Sequence, residues 1–278
     1  MERSELDQAV TELFESKPSF TSIEGRDGTS ARVRLFDAPL AGTASARDPL
    51  FERFKEPGVI GPSFRTPQEW LPGARSVVAL FFPFSEAVRA SNRGDVRATS
   101  AEWLHGRIEG QAYLAEHMAK GLVAWFESRN AQAIAPALDG SFAIKRVPNP
   151  AIPGDCMFES AWSERHAAYV AGLGTFGLSR GLITRRGMAG RFLSLVTDAE
   201  LEPTVRPYAG VHDYCLMCGA CVPRCPVGAI STAAGRVNRA CHAYLNETKE
   251  RYAPRYGCGK CQTAVPCEFE MPRQPQTR

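Results

Sequence analysis

CLMCGACVPRCP, residues 215–226, sets four cysteines at the spacing C-x2-C-x2-C-x3-C, with a proline after the last. This is the bacterial-type ligand run for a cubane iron–sulfur cluster, in which the fourth cysteine serves a second cluster. Three thiolates on one tight loop cap three corners of one cube. The fourth, turned away after the longer step, points elsewhere. Two other readings compete. Zinc sites use separated C-x2-C pairs in a tetrahedral cage, and disulfide scaffolds suit small secreted chains. Neither matches so dense a run in a chain of 278 residues.

Counting onward from the run gives Cys241, Cys258, Cys261 and Cys267, so eight thiols lie beyond residue 214. Eight is the number two four-cysteine cubanes need. Crossed ligation assigns Cys215, Cys218, Cys221 and Cys267 to one cluster, and Cys225, Cys241, Cys258 and Cys261 to the other. One feature departs from a plain two-cluster ferredoxin. Five residues separate Cys261 from Cys267, and Pro266 precedes the last cysteine instead of following it. The pairing of Cys267 stays open on spacing alone. The ninth cysteine, Cys156, stands apart and reads as a small buried hydrophobe.

Two clusters conduct electrons but do not choose a substrate, and about 200 residues precede them. The expected division is a cofactor- and substrate-binding domain over 1–205 and a cluster module over 206–278. Hydrophobic content of 44% and charged content of 23% are ordinary for a globular chain, and a net charge of +3 asks for no polyanionic partner. The N-terminus lacks the apolar core of a secretory signal, and no run of about 18 apolar residues is present. These features, with cysteines in metal-ligand spacing, lead to an expectation of a cytoplasmic protein without a membrane span.

Within the first domain, Leu6, Val10, Leu13 and Phe14 recur at helical spacing over 2–16. Residues 31–40 alternate as a strand, and 42–74 read as a long loop with short helical pieces. Val77–Phe82 is a continuous apolar run, expected as a fully buried strand. A long helix is expected over 109–127 with Asn130 as its stop, then a short strand at 131–135 and an irregular stretch at 139–158. A further helix is expected over 160–170 and a strand over 193–197. Alternating helices and strands point to a layered α/β or α+β domain. Gly172, Gly174 and Gly177 spell G-x-G-x-x-G. A dinucleotide fingerprint needs a strand before it and a helix after it. Here a helix precedes and glycine-rich sequence follows, so the glycines are read as a tight turn or close approach.

Several stretches together resemble the catalytic core of the epoxyqueuosine reductases and, more distantly, the reductive dehalogenases. They are PGARSVVALFFP (72–83), the helix with Tyr113 and Leu122–Phe126, AGLGTFG (171–177), the cysteine run, Cys241 and CGKCQ (258–262). The resemblance implies an α+β fold: a nitroreductase-like, cobalamin-binding domain followed by a ferredoxin-like module with two [4Fe-4S] clusters. It implies that electrons pass through the clusters to a base-off cobalamin, with Gly172, Gly174 and Gly177 near the corrinoid. It also implies an acidic proton donor ahead of AGLG. Asp139, Asp155 and Glu159 are the candidates, with Glu159 preferred by counting back from Ala171. His166 and Tyr169 are further candidate acids, because a reduction of a polar bond needs a proton source within reach. Arg165 is a candidate to hold an anionic group by bidentate contact.

The chain ends 11 residues after Cys267, whereas the reductases often continue into a helical-repeat extension. With the low net charge, this leads to an expectation against tRNA and for a small-molecule substrate, with a low-potential donor such as ferredoxin or flavodoxin. Two alternatives remain: an electron-transfer or corrinoid-reactivating partner without a substrate of its own, and a flavin in place of the corrinoid.

Overall fold

The computed structural model describes residues 1–24 and 28–273. Its centre is a four-stranded antiparallel sheet in the order Leu40–Ser45, Ser76–Pro83, Gly190–Thr197, Ala133–Ile134. Ser76–Pro83 is buried along its whole length. Successive side chains of a strand point to opposite faces. Val77, Ala79 and Phe81 therefore enter one core with Trp70, Trp162 and Tyr169. Val78, Leu80 and Phe82 enter a second core with Leu6, Phe14, Leu122 and Phe126. A sheet covered on both faces has no polar side, which is why this strand reads as an unbroken apolar run although its neighbours are antiparallel.

The helix Arg3–Ser16 buries Leu6, Ala9, Val10 and Phe14 against the second core. The long helix begins at Ala101, eight residues before the expected start, because the Ser100 hydroxyl accepts from the Trp103 amide and caps it. It widens into a π-turn at Leu114–Ala119 and runs on through Lys120–Glu127. Asn130 stops it in a left-handed conformation (φ 57°).

Three expectations are corrected. The 42–74 stretch has the short helical pieces expected of it but opens on a strand. It shares the edge strand Leu40–Ser45, and its short helices Leu50–Arg53 and Pro67–Trp70 seat Phe51, Phe54, Phe64 and Trp70 in the core. The strand expected over 31–40 is confined to Ser30–Arg34 and pairs with Phe20–Glu24. The stretch 139–158 holds a strand, Ile144–Pro148, paired with Cys156–Ser160, so the helix expected from 160 is confined to Glu164–Val170.

From residue 206 the chain is mostly loop around a short hairpin, Ile230–Ser231 with Gly235–Arg236, and the helix Asn238–Arg251. This module is anchored to the sheet domain. Asn92 Nδ2 donates to Cys258 O (3.0 Å) and Thr99 Oγ1 to Gly257 O (2.9 Å). The buried Lys260 ammonium donates to Asn92 O (2.9 Å), and Arg93 pairs with buried Glu268 (2.9 Å). Gly259 lies flat against the Trp103 ring in a left-handed conformation (φ 66°), so the CGKC loop can dock only with glycine at that position.

Candidate iron–sulfur and cofactor site

The thiols sort into two groups by their mutual influence. Burial pushes Cys267 up to about 12, and the next raising influences are Cys215, Cys221 and Cys218. Burial likewise raises Cys258 to about 11 and Cys261 to about 12, and both are raised further by Cys241 and Cys225. Cys267 thus stands with the first three cysteines of the run, across the five-residue gap, while Cys225 acts on Cys221 as well as on Cys258 and Cys261 and lies between the two sets. Leu178, Ile183, Met188, Ile230 and Val265 pack among these cysteines. Main-chain amides reach two of the sulfurs: Leu178 N–H to Cys215 Sγ (3.4 Å) and Ala229 N–H to Cys225 Sγ (3.1 Å). Among the described residues no three His, Cys, Asp or Glu side chains are disposed around a single metal ion. A cubane is a wider object than one ion, and four thiols with amide donors to sulfur match its donor set. Burial disfavours the free thiolates, and the charge of bound iron would offset that cost, since a coordinating thiol is deprotonated outright. Cys218 is exposed and Cys221 buried, so the first group has one edge at the surface.

Cys156 belongs to neither group. It is half-buried rather than fully buried, and its carbonyl accepts from Asn238 Nδ2 (2.9 Å).

Between sheet domain and module opens a cleft of about 1280 Å³, larger than the few hundred to about 1,000 Å³ of ordinary drug-sized sites. The helix Glu164–Val170 presents Arg165, His166 and Tyr169 to it. Residues four apart share a helix face, so Arg165 and Tyr169 stand one above the other. Phe54, Phe158, Phe176 and Tyr208 supply aromatic walls, Gly177 a bare backbone edge, and Arg180, Arg206, His212 and Arg236 polar corners. His166 Nδ1 lies 2.8 Å from Ser163 Oγ, with the ring between Phe54 and Phe176. Burial, then the Arg165 charge, lower its pKa to about 3, so the imidazole is neutral. Arg165 makes no hydrogen bond or ion pair with the described residues. Burial, followed by repulsion from Arg236, lowers it to about 10, which leaves it cationic at neutral pH. Tyr169 accepts from the Tyr208 hydroxyl at its carbonyl (2.6 Å), and its own hydroxyl has no partner among the described residues.

The glycines divide. Gly172 (φ 78°) ends the helix: its amide donates to Tyr169 O and the Leu173 amide to Ala168 O, the paired bonds of a Schellman motif. It faces a separate depression with Arg3 and Thr204, not the cleft. Gly174 begins a strand so close to Ile183 O that no Cβ fits. Only Gly177 lines the cleft. A helix before the glycines and a hairpin after them leave no dinucleotide fingerprint.

The three candidate carboxylates lie outside the cleft lining. Glu159 accepts from Ser63 Oγ (3.0 Å) and packs on Gly61. Asp155 is buried, accepting from Asn149 Nδ2 (2.9 Å) and the Arg239 amide (2.7 Å), where it fixes the start of the Cys241 helix. Asp139 is tied to Ser141 on the surface. Unforeseen in the sequence are the cleft arginines 180, 206 and 236. A buried carboxyl, Glu164, was missed as well. It accepts from Ser194 Oγ, which in turn accepts from Trp162 Nε1 (2.8 Å), and burial raises Glu164 to about 7. Each comes from a different segment, and no local spacing links them.

Residues 211–231 match the family model for a 4Fe-4S binding domain. The chain is 27% identical over 229 residues to an epoxyqueuosine reductase of Bacillus cereus, covering 77% of this chain and 53% of that protein. It is 28% identical over 226 residues to one from Gloeobacter violaceus, covering 76% and 62%. The chain resembles the epoxyqueuosine reductases. It spans about half the length of the first curated relatives it matches. The crystal structure of a selenomethionine-labelled epoxyqueuosine reductase shares the fold (TM-score 0.51, 18% identity, 96% of this chain and 68% of that one). So does a reductive dehalogenase whose structure suggests a mechanism for B12-dependent dehalogenation (TM-score 0.55, 16% identity, 84% and 30%). The chain is therefore similar to the epoxyqueuosine reductases, with a 4Fe-4S binding segment and a mixed α/β fold. The expectation against tRNA is overturned: the relatives are epoxyqueuosine reductases, and one structure of this fold contains a tRNA stem loop modified with epoxyqueuosine. Net charge averages over the surface and does not report that Arg53, Arg165, Arg180, Arg206 and Arg236 all line one cleft. Among the described residues no helix is long and apolar enough to cross a membrane.

Proposed function

We propose that this chain is a corrinoid-dependent reductase carrying two [4Fe-4S] clusters, and that it acts on an epoxyqueuosine-type base in tRNA. The observation that carries the proposal is the cleft of about 1280 Å³, which runs from the sheet domain to the hairpin beside the second thiol group. Its size and aromatic walls suit a macrocycle, and its arginines suit the phosphates of a nucleotide. When bound, a corrinoid supplies a strongly reducing cobalt centre, and clusters supply one-electron transfer to it. The chain's own residues do the rest. Phe54, Phe176 and Tyr208 exclude water. Arg165, unpartnered and cationic, offers two parallel donors to an anionic group. Tyr169, with its hydroxyl free at the cleft, is placed to give a proton to a reduced substrate, whereas neutral His166 has no proton to give as an imidazolium. A cleft this large disfavours the reading as an electron-transfer partner without a substrate of its own.

The test is anaerobic reconstitution with iron, sulfide and cobalamin, followed by incubation of the reduced protein with an epoxyqueuosine-bearing tRNA stem loop. Cobalamin binding by absorbance and conversion of the base support the proposal. Full iron loading with no cobalamin binding refutes the corrinoid, and binding without conversion refutes the substrate.

A further inference from the structure

Among the described residues the cleft is lined by five arginines and one carboxylate, Asp48. Asp48 is taken, since Arg206 pairs with it at 2.9 Å. Arg53 has Glu56 three residues on (3.6 Å). Arg165, Arg180 and Arg236 are left with no carboxylate partner among the described residues. Two carboxylates close to them are engaged elsewhere. Glu164, beside Arg165 in the chain, accepts from Ser194 Oγ. Asp155, whose charge reaches Arg180, accepts from Asn149 Nδ2 (2.9 Å) and the Arg239 amide (2.7 Å).

Three adjoining segments carry these arginines. Arg165 is the second residue of the helix Glu164–Val170, and its neighbour His166 packs on Phe176 (ring centroids 4.9 Å apart). Phe176 leads into a tight turn over 177–181, closed by Gly177 N–H to Gly181 O (2.7 Å) and Arg180 N–H to Gly177 O (2.8 Å). That turn abuts the hairpin of the module: a Cβ on Gly235 would stand 3.5 Å from Leu178 O. Arg236, next to Gly235, donates to Asn238 Oδ1 (3.3 Å), another residue of the cleft wall, and its Nε is buried without a partner. Arg180 is held at φ 60°, a left-handed conformation that favours glycine. Backbone strain is thus kept at a residue that lines the cleft, the kind of place where strain accompanies function.

We propose that Arg165, Arg180 and Arg236 form a binding site for a phosphodiester at the module end of the cleft. Guanidinium forks match the non-bridging oxygens of a phosphodiester in pairs, and arginine keeps its charge when water is displaced. A phosphodiester also arrives with a group on either side, and Phe158 and Phe176 of the same cleft offer flat apolar faces to cover a base. The inference rests on the proposed function, which supplies two sources of this chemistry: the nucleotide tail of a cobalamin and the backbone of a tRNA stem loop.

The reconstituted full chain is titrated by absorbance with cobalamin and with cobinamide, the corrinoid without its nucleotide tail. It is titrated by fluorescence anisotropy, over a salt series, with the epoxyqueuosine-bearing stem loop. Arg236→Gln and Arg180→Gly each weaken one of these ligands about tenfold. Arg129→Gln, an exposed arginine outside the cleft, does not. Weaker cobalamin with unchanged cobinamide assigns the site to the corrinoid tail. A weaker stem loop, with a salt slope reduced by about one per arginine, assigns it to RNA. Arg180→Gly also relieves the left-handed backbone, so it keeps the parent's Tm and iron while losing affinity. Unchanged affinity for every ligand overturns the proposal, and so does affinity that falls only where Tm and iron fall with it. If the parent binds neither corrinoid nor stem loop, the proposed function fails and inorganic phosphate alone decides the site. Millimolar phosphate then raises the Tm of the parent above a chloride control of equal ionic strength and leaves Arg180→Gly unmoved. A parent that phosphate does not stabilise refutes the site.

Discussion

Gly259→Ala tests how the cluster module is docked. The added methyl would stand 1.9 Å from Trp103 Cε2 and 2.0 Å from Cζ2, with the residue held at φ 66°. Left-handed backbone costs an L-residue about 1–2 kcal/mol, and forcing a methyl into a packed contact about 1–3 kcal/mol more. Trp103 has little room to yield, because it is buried edge-on against Phe84 (4.8 Å). The expected loss is about 2–5 kcal/mol, a fall in Tm of roughly 5–15 °C for a chain of this size. The displaced Cys258–Cys261 loop should also shed iron from its own cluster and leave the other in place. Calorimetry under anaerobic conditions and iron analysis read the two effects. Gly140→Ala, which meets nothing within 4 Å and lacks a positive φ, is the control and should lie within about 0.5 kcal/mol of the parent. Trp103→Leu in the Gly259→Ala background should recover the steric part but not the backbone part. A Gly259→Ala protein as stable and iron-replete as the control would refute the docking argument.

Three further outcomes are expected. Gly172→Ala, at φ 78° and 3.1 Å from Thr204 Cγ2 and Val205 O, should destabilise by about 1–2 kcal/mol through the Schellman turn, read by denaturant midpoint. Glu164 is raised from 4.5 to about 7 by burial, so its contribution is full below pH 4.5 and is lost as pH rises through about 7. Glu164→Gln should therefore flatten the fall in Tm between pH 5 and pH 8, and an unchanged slope would count against a protonated Glu164. Glu268→Ala removes one of the two carboxylates that pair with Arg93 and Arg89, leaving Glu86, and frees the Ala264 amide. A loss of about 1–3 kcal/mol with loosened iron is expected, measured by anaerobic calorimetry.

What could be read from the sequence depended on how local the signal was. Val77–Phe82 announced the central strand because burial on both faces removes polar positions. Leu40–Ser45 did not, since after Leu40 its sequence AGTAS is made of small residues. Gly42 is small for a reason outside the segment: a Cβ there would meet Ala171 O at 2.3 Å, where the end of the Glu164–Val170 helix crosses the strand. The thiols were legible because cubane ligation fixes spacing within one loop. The cleft was not, because its walls come from segments scattered between residues 48 and 238. Counting back from Ala171 to a proton donor meets the same scatter. It landed on the strand Cys156–Ser160, where Phe158 and Ser160 line the cleft and Glu159 turns to Ser63.

The same scatter bears on whether the chain can be divided near residue 205. The cleft takes Arg165, His166 and Tyr169 from one side of that boundary and Tyr208, His212 and Arg236 from the other. The Tyr208 hydroxyl donates to Tyr169 O, and Asp155 accepts the first amides of the Cys241 helix. Each is a hydrogen bond to a buried or half-buried group, of the kind that costs about 1–3 kcal/mol when left unmade. A fragment starting at residue 206 would leave Cys258 O and Gly257 O without their donors Asn92 and Thr99. It would also expose the face of Gly259 that Trp103 covers. The module is therefore a wall of the cleft as well as the carrier of the eight thiols. Expressed alone, it should hold less iron than the same residues in the full chain, and an isolated module with full, stable loading of both clusters would contradict this account.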